Sequence, residues 1–249
     1  MYRLLMRLVE MPWFYWTARA AFQIFVRIGY GLRVDGASRI PHEGGFVLAV
    51  NHVSAWDPPV VGSSVPREIS FMAKKELFDP PAVRLLVRGL RAFPVDRARN
   101  DLSAVKEALR RLRHDRPIGI FLQGTRSADT TEAMDGAAFL ATRAQVPLLP
   151  AAVWREGRRF RVRFGDPFPV AGSDRAALRR TTADAMRRIV DLMPEGVRPA
   201  AIAESAARAE AQPGPDRLDA VQDDASVREA EAVPARDDDP SCHDPTQRS

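Results

Sequence analysis

The sequence predicts an α/β fold, a single domain with a mainly parallel mixed sheet flanked by helices, preceded by N-terminal amphipathic membrane-interfacial helices. Strand-like and helix-like segments alternate from residue 31 onward, which favours parallel strands covered by helices. The 249 residues are 45% hydrophobic, which is enough for a sizeable core. Charge divides the chain, because residues 1–194 hold 31 Lys+Arg against 19 Asp+Glu, or +12, and residues 195–249 hold 6 against 13, or −7. We therefore expect an N-terminal segment (1–30), a basic domain (31–194) with anionic partners and an acidic, disordered tail (195–249).

The pattern of the first thirty residues predicts amphipathic helices. Arg19, Gln23 and Arg27 recur every four residues as one polar stripe, and large apolar side chains cover most of the remaining surface. No uncharged run in this segment exceeds the eight residues 11–18, whereas a membrane-spanning helix needs about 20 apolar residues. Arg7 and Glu10 interrupt the pattern of a secretory signal. The segment either lies in a membrane surface or packs on the domain as an ordinary terminal helix.

Within the domain, the order of elements follows from hydrophobic pattern and turn signals. Strands are predicted at 46–50, 68–73, 92–95, 117–122, 148–153 and 159–164, and helices at 80–88, 101–112, 136–144 and 175–192. Asn100 or Asp101 is expected to cap the second of these helices and Asp174 the last. The strand at 159–164 alternates arginine with apolar residues, so its basic face either binds anionic lipid headgroups or protects a sheet edge.

The buried strand at 46–50 leads into a group of polar residues. Asn51 and His52 follow it directly, and Asp57 comes five positions after the histidine, ahead of the pair Pro58-Pro59, which we expect to stop a helix. A histidine can take a proton from an alcohol near neutral pH, and a carboxylate on its second ring nitrogen fixes the tautomer. This pair can meet only if the chain turns between its members. A hydrogen-bonded loop histidine is the alternative interpretation.

Three further sequence blocks lie within the same alternation of strands and helices. They are Gly89–Arg97, which ends a short strand with a charged pair, Phe121–Ser127, which ends another with a glycine turn, and the proline-containing strand Val146–Val153. Glycine lets a backbone approach a ligand closely, and the planar fork of arginine suits phosphate oxygens. A histidine base beside phosphate-binding arginines suits an acceptor site for a phosphorylated alcohol.

Together these blocks resemble the lysophospholipid acyltransferase family, the glycerolipid acyltransferases that make phosphatidic acid from 1-acylglycerol 3-phosphate. The resemblance covers about residues 25–170 and makes residues 31–194 a glycerolipid acyltransferase domain. Asn51, His52 and Asp57 look like its Asn-His-x4-Asp motif. The other similar segments are Phe71–Phe78, Phe93–Arg97, Gln123–Ser127, which is similar to the Glu-Gly-Thr-Arg-Ser block, and Val146–Val153.

By this resemblance, His52 is the general base on the acceptor hydroxyl, Asp57 holds it, and the hydroxyl attacks an acyl thioester without an acyl-enzyme. The residues implied to bind the acceptor are Lys74, Arg97, Gln123, Gly124, Thr125, Arg126 and Ser127. The donor would be acyl carrier protein or coenzyme A thioester as co-substrate, with no other cofactor and no metal. The implied partners are the membrane lipid substrate and an anionic membrane surface, with no nucleic acid. The implied place is the cytoplasmic face of the cell membrane, as a peripheral or monotopic protein of phospholipid biosynthesis.

Two residues depart from the family pattern, Gln123 in place of glutamate and Asp135 where a basic residue is expected. The open alternatives are another lysolipid acceptor, such as a lyso-aminolipid, or a catalytically impaired member that only binds membranes. A serine hydrolase using Ser54 is disfavoured because no Gly-x-Ser-x-Gly elbow surrounds it. A nucleic-acid-binding module is disfavoured because the arginines accompany no recognition helix. The single cysteine, Cys242, excludes an intrachain disulfide framework.

Overall fold

The computed structural model describes residues 2–52, 54–96, 101–123, 130–170 and 172–198. Within these ranges the strands are β1 (Arg33–Asp35), β2 (Val47–His52), β3 (Ser70–Lys74), β4 (Phe93–Val95), β5 (Ile118–Gln123), β6 (Leu148–Glu156) and β7 (Arg159–Phe164). The helices are α1 (Tyr2–Glu10), α2 (Pro12–Tyr30), α3 (Asp57–Ser64), α4 (Pro81–Gly89), α5 (Leu102–Arg113), α6 (Thr130–Ala144) and α7 (Arg175–Asp191). Nearly all of the predicted acidic tail lies outside the described residues.

The described strands form one sheet in the order β1-β7-β6-β2-β5-β3-β4. Every neighbouring pair is parallel except β6 and β7, which form an antiparallel hairpin. The five strands from β2 to β6 therefore run in one direction, and β1 and β7 run in the other. The predicted mainly parallel mixed sheet is confirmed.

Helices cover both faces of the sheet because successive side chains of a strand point to opposite sides. On β2, Val47 and Ala49 belong to a core with residues of α5, α6 and α7. Leu48 and Val50 belong to a second core with residues of α2 and α3. We call these sides of the sheet the α5–α7 face and the α2–α3 face.

The interpretation of Pro58 and Pro59 as a helix stop is wrong. Helix α3 begins at Asp57, and both prolines lie in its first turn. The first-turn N–H groups of a helix have no acceptor within the helix, so proline loses nothing there and its fixed φ suits the helical backbone. Strand β1 was not predicted, because its three residues are too few for a hydrophobic pattern.

The N-terminal segment forms two helices, α1 and α2, and one side of α2 packs on the domain. Tyr15 and Val26 are buried, and the Tyr15 hydroxyl accepts a hydrogen bond from the backbone N–H of Ile69 at 3.1 Å. The Arg19 guanidinium donates to the carbonyl of Val65 at 2.8 Å. The predicted polar stripe therefore turns partly toward the domain, since Arg19 is half-buried and only Arg27 is exposed.

The opposite side of α2 is exposed and apolar. Trp13, Ile24 and Phe25 are more than half exposed, and Ile28 is 82% exposed. No helix in the described part of the chain is long and apolar enough to cross a membrane.

Two of the three arginines of β7 bind partners within the chain. Strand β7 is not at the sheet edge, because β1 pairs with its outer side. Arg161 contacts Glu156 at 2.9 Å, and Arg163 donates to the carbonyl of Leu192 at 2.8 Å. The edge-protection interpretation of this strand is therefore wrong.

Candidate active site

His52 and Asp57 meet at the end of β2. His52 is the last residue of that strand, and Asp57 opens α3, so the short turn between them reverses the chain. The His52 Nδ1 atom lies 3.1 Å from Asp57 Oδ2. That carboxylate oxygen also accepts the backbone N–H of Ser54 at 2.7 Å, which closes the turn. The chain therefore turns between His52 and Asp57, as their meeting requires.

The pair differs in exposure in a way that suits proton transfer. The Asp57 side chain is 2% exposed and the His52 side chain 25% exposed. A carboxylate on Nδ1 favours the tautomer with hydrogen on that nitrogen, which leaves Nε2 as a proton acceptor. Buried Asp57 holds one side of the imidazole, and the partly exposed other side can be reached by a substrate. This arrangement suits a general base.

Asn51 fixes the strand end that carries the histidine. The backbone ladder between β2 and β6 ends at Val50 and Ala151. At the next residue of β2, the side-chain amide of Asn51 donates to the carbonyl of Val153 and accepts its backbone N–H, both at 2.8 Å. Asn51 is 1% exposed, so both bonds are shielded from water. The side chain thus replaces backbone pairing where the two strands separate.

The site lies where the sheet changes its direction of winding. From β2 the chain crosses the α2–α3 face through α3 to reach β3, whereas from the adjacent β5 it crosses the α5–α7 face through α6 to reach β6. Connections that leave neighbouring strands in opposite directions open a crevice at their carboxyl ends, where open α/β sheets bind ligands. His52 lies opposite the backbone of Gln123 in the strand register at this crevice.

The other predicted site residues are divided between described and undescribed segments. Lys74 is the last residue of β3 and is exposed. It lies at the same end of the sheet as His52, because the strands from β2 to β6 are parallel. Arg97 and the segment 124–129, which includes Gly124, Thr125, Arg126 and Ser127, lie outside the described residues. In the described part of the chain, β4 ends at Val95 and β5 at Gln123, at the same end of the sheet as His52. In the described ranges, no group of three or more His, Cys, Asp and Glu side chains could hold a metal ion.

The aromatic surroundings of the pair are absent from the sequence prediction. The ring of Phe121 packs against His52, with centroids 4.9 Å apart, and Phe71 stacks on Phe121 at 5.2 Å. Trp56, beside Asp57, packs against Phe22 and Tyr30 of α2. One signal in the sequence points to the first group, because an isolated glycine within a strand, here Gly119, often marks a close approach.

Comparisons with known proteins bear on the family and the fold of the chain. The model of the family described as Acyltransferase matches residues 31–154. The chain is 32% identical over 133 residues to the 1-acyl-sn-glycerol-3-phosphate acyltransferase of Bacillus subtilis, which covers 53% of this chain and 67% of that protein. Two further proteins of the same name, from Streptococcus pneumoniae and Borreliella burgdorferi, match over 43% and 54% of their own lengths.

Two other matches extend over more of the chain. The lyso-ornithine lipid O-acyltransferase of Brucella abortus is 28% identical over 207 residues, which cover 65% of this chain and 77% of that protein. The crystal structure of the 1-acyl-sn-glycerophosphate acyltransferase PlsC from Thermotoga maritima superposes with a TM-score of 0.52 at 20% identity, over 79% of this chain and 81% of that one. That likeness extends to the fold alone. By the family match and its relatives, the chain belongs to the acyltransferase family that includes the 1-acyl-sn-glycerol-3-phosphate acyltransferases.

Proposed function

We propose that this acyltransferase moves a fatty acyl group from an acyl thioester to the free hydroxyl of 1-acyl-sn-glycerol 3-phosphate, giving phosphatidic acid. The observation that carries the proposal is the contact between His52 and buried Asp57, at the crevice where the sheet changes winding direction. The names of three curated relatives support the choice of acceptor.

The proposed mechanism uses His52 as a base in a direct transfer. Its Nε2 takes the proton of the acceptor hydroxyl as the hydroxyl oxygen attacks the thioester carbonyl. When the carbon–sulfur bond breaks, the imidazolium returns that proton to the departing thiolate. Asp57 stays ionised throughout and stabilises the imidazolium that forms between the two proton transfers. No covalent intermediate with the protein is needed, and no cofactor beyond the thioester.

The acceptor phosphate would be bound by the basic residues that follow the neighbouring strands. We assign Arg97 and Arg126 to its oxygens, with Lys74 and the segment 123–127 completing the site. Guanidinium groups bind phosphate through two parallel hydrogen bonds, which fixes orientation as well as supplying energy. The free hydroxyl would then lie toward His52, because the carboxyl ends of β2, β4 and β5 lie at the same end of the sheet.

We also propose that α2 attaches the protein to the cytoplasmic face of the cell membrane without crossing it. The site supports this, because His52 points to the α2–α3 face, the side on which α2 packs. Exposed Trp13 and Ile28 fit a helix that lies at the bilayer surface. Such a placement would bring the acceptor to the crevice without removing it fully from the lipid.

A lyso-ornithine lipid is the second candidate acceptor. The Brucella abortus protein of that name matches more of this chain than the three glycerol-phosphate relatives do. An ornithine headgroup presents amino and carboxyl groups and no phosphate, so it would use the same arginines for a carboxylate. Gln123, which has no charge, is a departure that a different headgroup could explain.

The test is a matrix of two donors and a panel of lysolipids. Purified full-length protein is incubated with acyl carrier protein or coenzyme A thioesters and each acceptor in vesicles, and products are weighed by mass spectrometry. We expect diacylated glycerol phosphate, formed by the parent protein and lost in His52→Ala. Acylation of lyso-ornithine lipid alone would establish the second acceptor. Absence of product from every acceptor, by folded protein that binds the vesicles, would contradict both and leave a membrane-binding protein without activity.

The same assay tests Gln123. Glutamine keeps one carbonyl acceptor of glutamate but loses the charge. If hydrogen bonding is the role of this position, Gln123→Glu changes turnover by less than about tenfold, which corresponds to roughly 1.4 kcal/mol. Activity that appears only after glutamate is restored would show that the carboxylate is essential.

A further inference from the structure

Three rings lie in contact in a row that ends on His52, with Phe71 stacked on Phe121 and Phe121 tilted against the imidazole. The ring centroids of His52 and Phe121 are 4.9 Å apart with an interplanar angle of 46°. Those of Phe121 and Phe71 are 5.2 Å apart at 26°. All three side chains lie on the α2–α3 face, since Phe121 pairs in register with Val50, two residues before His52.

Phe71 fills a slot between two glycines. It lies opposite Gly119 in the register between β3 and β5, and a Cβ added to Gly119 would come within 2.1 Å of the Phe71 ring. On its other edge, a Cβ at Gly62 of α3 would lie 3.1 Å from the same ring. Phe71 is 9% exposed, so neighbouring atoms surround most of its ring. The slot therefore holds the ring on which Phe121 rests.

Helix α3 connects the slot to the carboxylate. It begins with Asp57, which contacts Nδ1 of His52, and it carries Gly62 five residues later. The imidazole is therefore restrained at one ring nitrogen by Asp57 and on one side by the tilted Phe121 ring. A hydrogen bond at Nδ1 alone leaves the ring free to tilt about that contact, and the Phe121 ring blocks this tilt. Misplacement of a reacting group by about 1 Å can cost on the order of 10²-fold in rate.

We propose that Phe121 is a positioning residue for His52, supported by Phe71 in the slot formed by Gly62 and Gly119. The inference rests on the proposed role of His52 as the base. Phe121 acts on the orientation of the imidazole and not on the binding of substrate. Its loss should lower kcat while leaving the KM of the acceptor nearly unchanged.

The first test replaces Phe121 in the full-length protein and measures each kinetic constant. We expect Phe121→Leu to lower kcat by about tenfold or more and to change the KM of either substrate by less than about threefold. Ile120→Val is the control, because the adjacent Ile120 faces the α5–α7 side. A wild-type kcat in Phe121→Leu would overturn the proposal. So would a change confined to KM or to acyl chain preference, which would make Phe121 a wall of the substrate site.

The second test changes the slot formed by Gly62 and Gly119 and measures the effect on catalysis by His52. Gly119→Ala should displace the Phe71 ring and lower kcat, and adding Phe71→Leu should restore part of the loss because leucine vacates the contested space. Rescue of kcat by a second truncation is not expected if Gly119→Ala only destabilises the fold, which thermal unfolding monitors. Full activity of folded Gly119→Ala, or no rescue in the double variant, would contradict the coupling.

An NMR measurement separates this inference from the proposed function. Nitrogen shifts of the four histidines report which ring nitrogen carries hydrogen, and His52→Ala assigns the signal of His52. Because the Asp57 contact keeps hydrogen on Nδ1 in both proteins, we expect the same tautomer in Phe121→Leu but a broadened His52 signal, since the ring then samples several tilts, whatever substrate the enzyme uses. An unchanged His52 signal in Phe121→Leu would overturn the positioning role even if the acyltransferase assay succeeds.

Discussion

At the scale of single residues, the arrangement of His52, Ser54 and Asp57 separates the proposed mechanism from its competitor. Replacing a general base typically costs about 10²–10⁴-fold, so His52→Ala should lose that much turnover with the fold intact. Asp57→Asn should also lose activity, because an amide cannot stabilise the imidazolium. Progress curves with purified variants measure both effects.

Ser54→Ala is the matched control for these variants. The Asp57 carboxylate binds the backbone N–H of Ser54, which alanine retains. Among the described residues, the Ser54 hydroxyl accepts the N–H of Trp56, at 3.3 Å. We expect near wild-type turnover. An inactive, folded Ser54→Ala protein would favour a serine hydrolase instead.

Asn51 gives a stability prediction at the same scale. In Asn51→Leu, the buried N–H and carbonyl of Val153 lose their partners, and each group left unpaired costs about 1–3 kcal/mol. Urea unfolding should show a lower midpoint with an unchanged slope. Asn51→Asp keeps an acceptor for the N–H, so we expect it to remove only one of the two bonds. A Leu variant as stable as the parent would show that the amide pairing contributes nothing to the free energy of unfolding.

At the scale of elements, Asp101 connects β4 to α5. Its carboxylate accepts the backbone N–H groups of Ser103 and Ala104 at 3.1 Å, which caps α5. The same carboxylate accepts the N–H of Asp96 at 2.9 Å. The cap therefore ties together both ends of the segment that includes Arg97.

Replacing this cap should affect both stability and substrate binding. Asp101→Ala should cost about 0.5–2 kcal/mol of stability, as for other helix N-caps. It should also raise the acceptor KM if Arg97 binds phosphate. Asp174→Ala is the control, because Asp174 caps α7 in the same way and should leave that KM unchanged. Equal acceptor KM values in the two variants would show that the segment between Asp96 and Asp101 does not contribute to acceptor binding.

The Asp101 cap should also weaken in acid. Burial raises the pKa of Asp101, but hydrogen bonds from the Ser103 hydroxyl and from three backbone N–H groups outweigh it and hold the pKa below its ordinary value. The stabilisation is fully present above the ordinary aspartate pKa and is lost as pH falls through the lowered one. The difference in stability between parent and Asp101→Ala should therefore shrink below about pH 4.

At the scale of the whole molecule, membrane attachment is best tested by substitution on the exposed side of α2. Deleting residues 1–30 would also remove buried Tyr15 and Val26 from the domain. Ile24→Ser with Ile28→Ser should instead weaken vesicle partitioning by about tenfold or more for each isoleucine that the bilayer buries. Exposed Ala21→Ser is the control. Unchanged sedimentation with vesicles and unchanged thermal unfolding would place the membrane contact elsewhere.

The fold class was predictable because the pattern that specifies it is local. Buried strands such as 46–50 and amphipathic helices such as 102–113 carry their own signals, and alternation of the two implies a parallel sheet. The motif residues His52 and Asp57 were identified for the same reason, since a strand end is visible in sequence.

What escaped prediction depends on contacts between distant parts of the chain. Nothing local tells that Arg19 faces Val65, or that β1 covers β7. The prolines after Asp57 are compatible with both a helix stop and a first turn, and only packing of α3 decides between them. The support of His52 by Phe121 requires the register of β2 and β5, which single-sequence patterns do not contain.

The central place of β2 in the sheet has a consequence for synthesis of the chain. Val47 pairs with Ile118 on one side and with Leu148 on the other, so its partners leave the ribosome about 70 and 100 residues later. Pairing across such separations slows folding, and an apolar strand without partners is prone to aggregate meanwhile. The nascent strand Phe46–Val50 therefore waits for both partners while about 100 further residues are made, and the amide of Asn51 finds its partner only once Val153 has emerged.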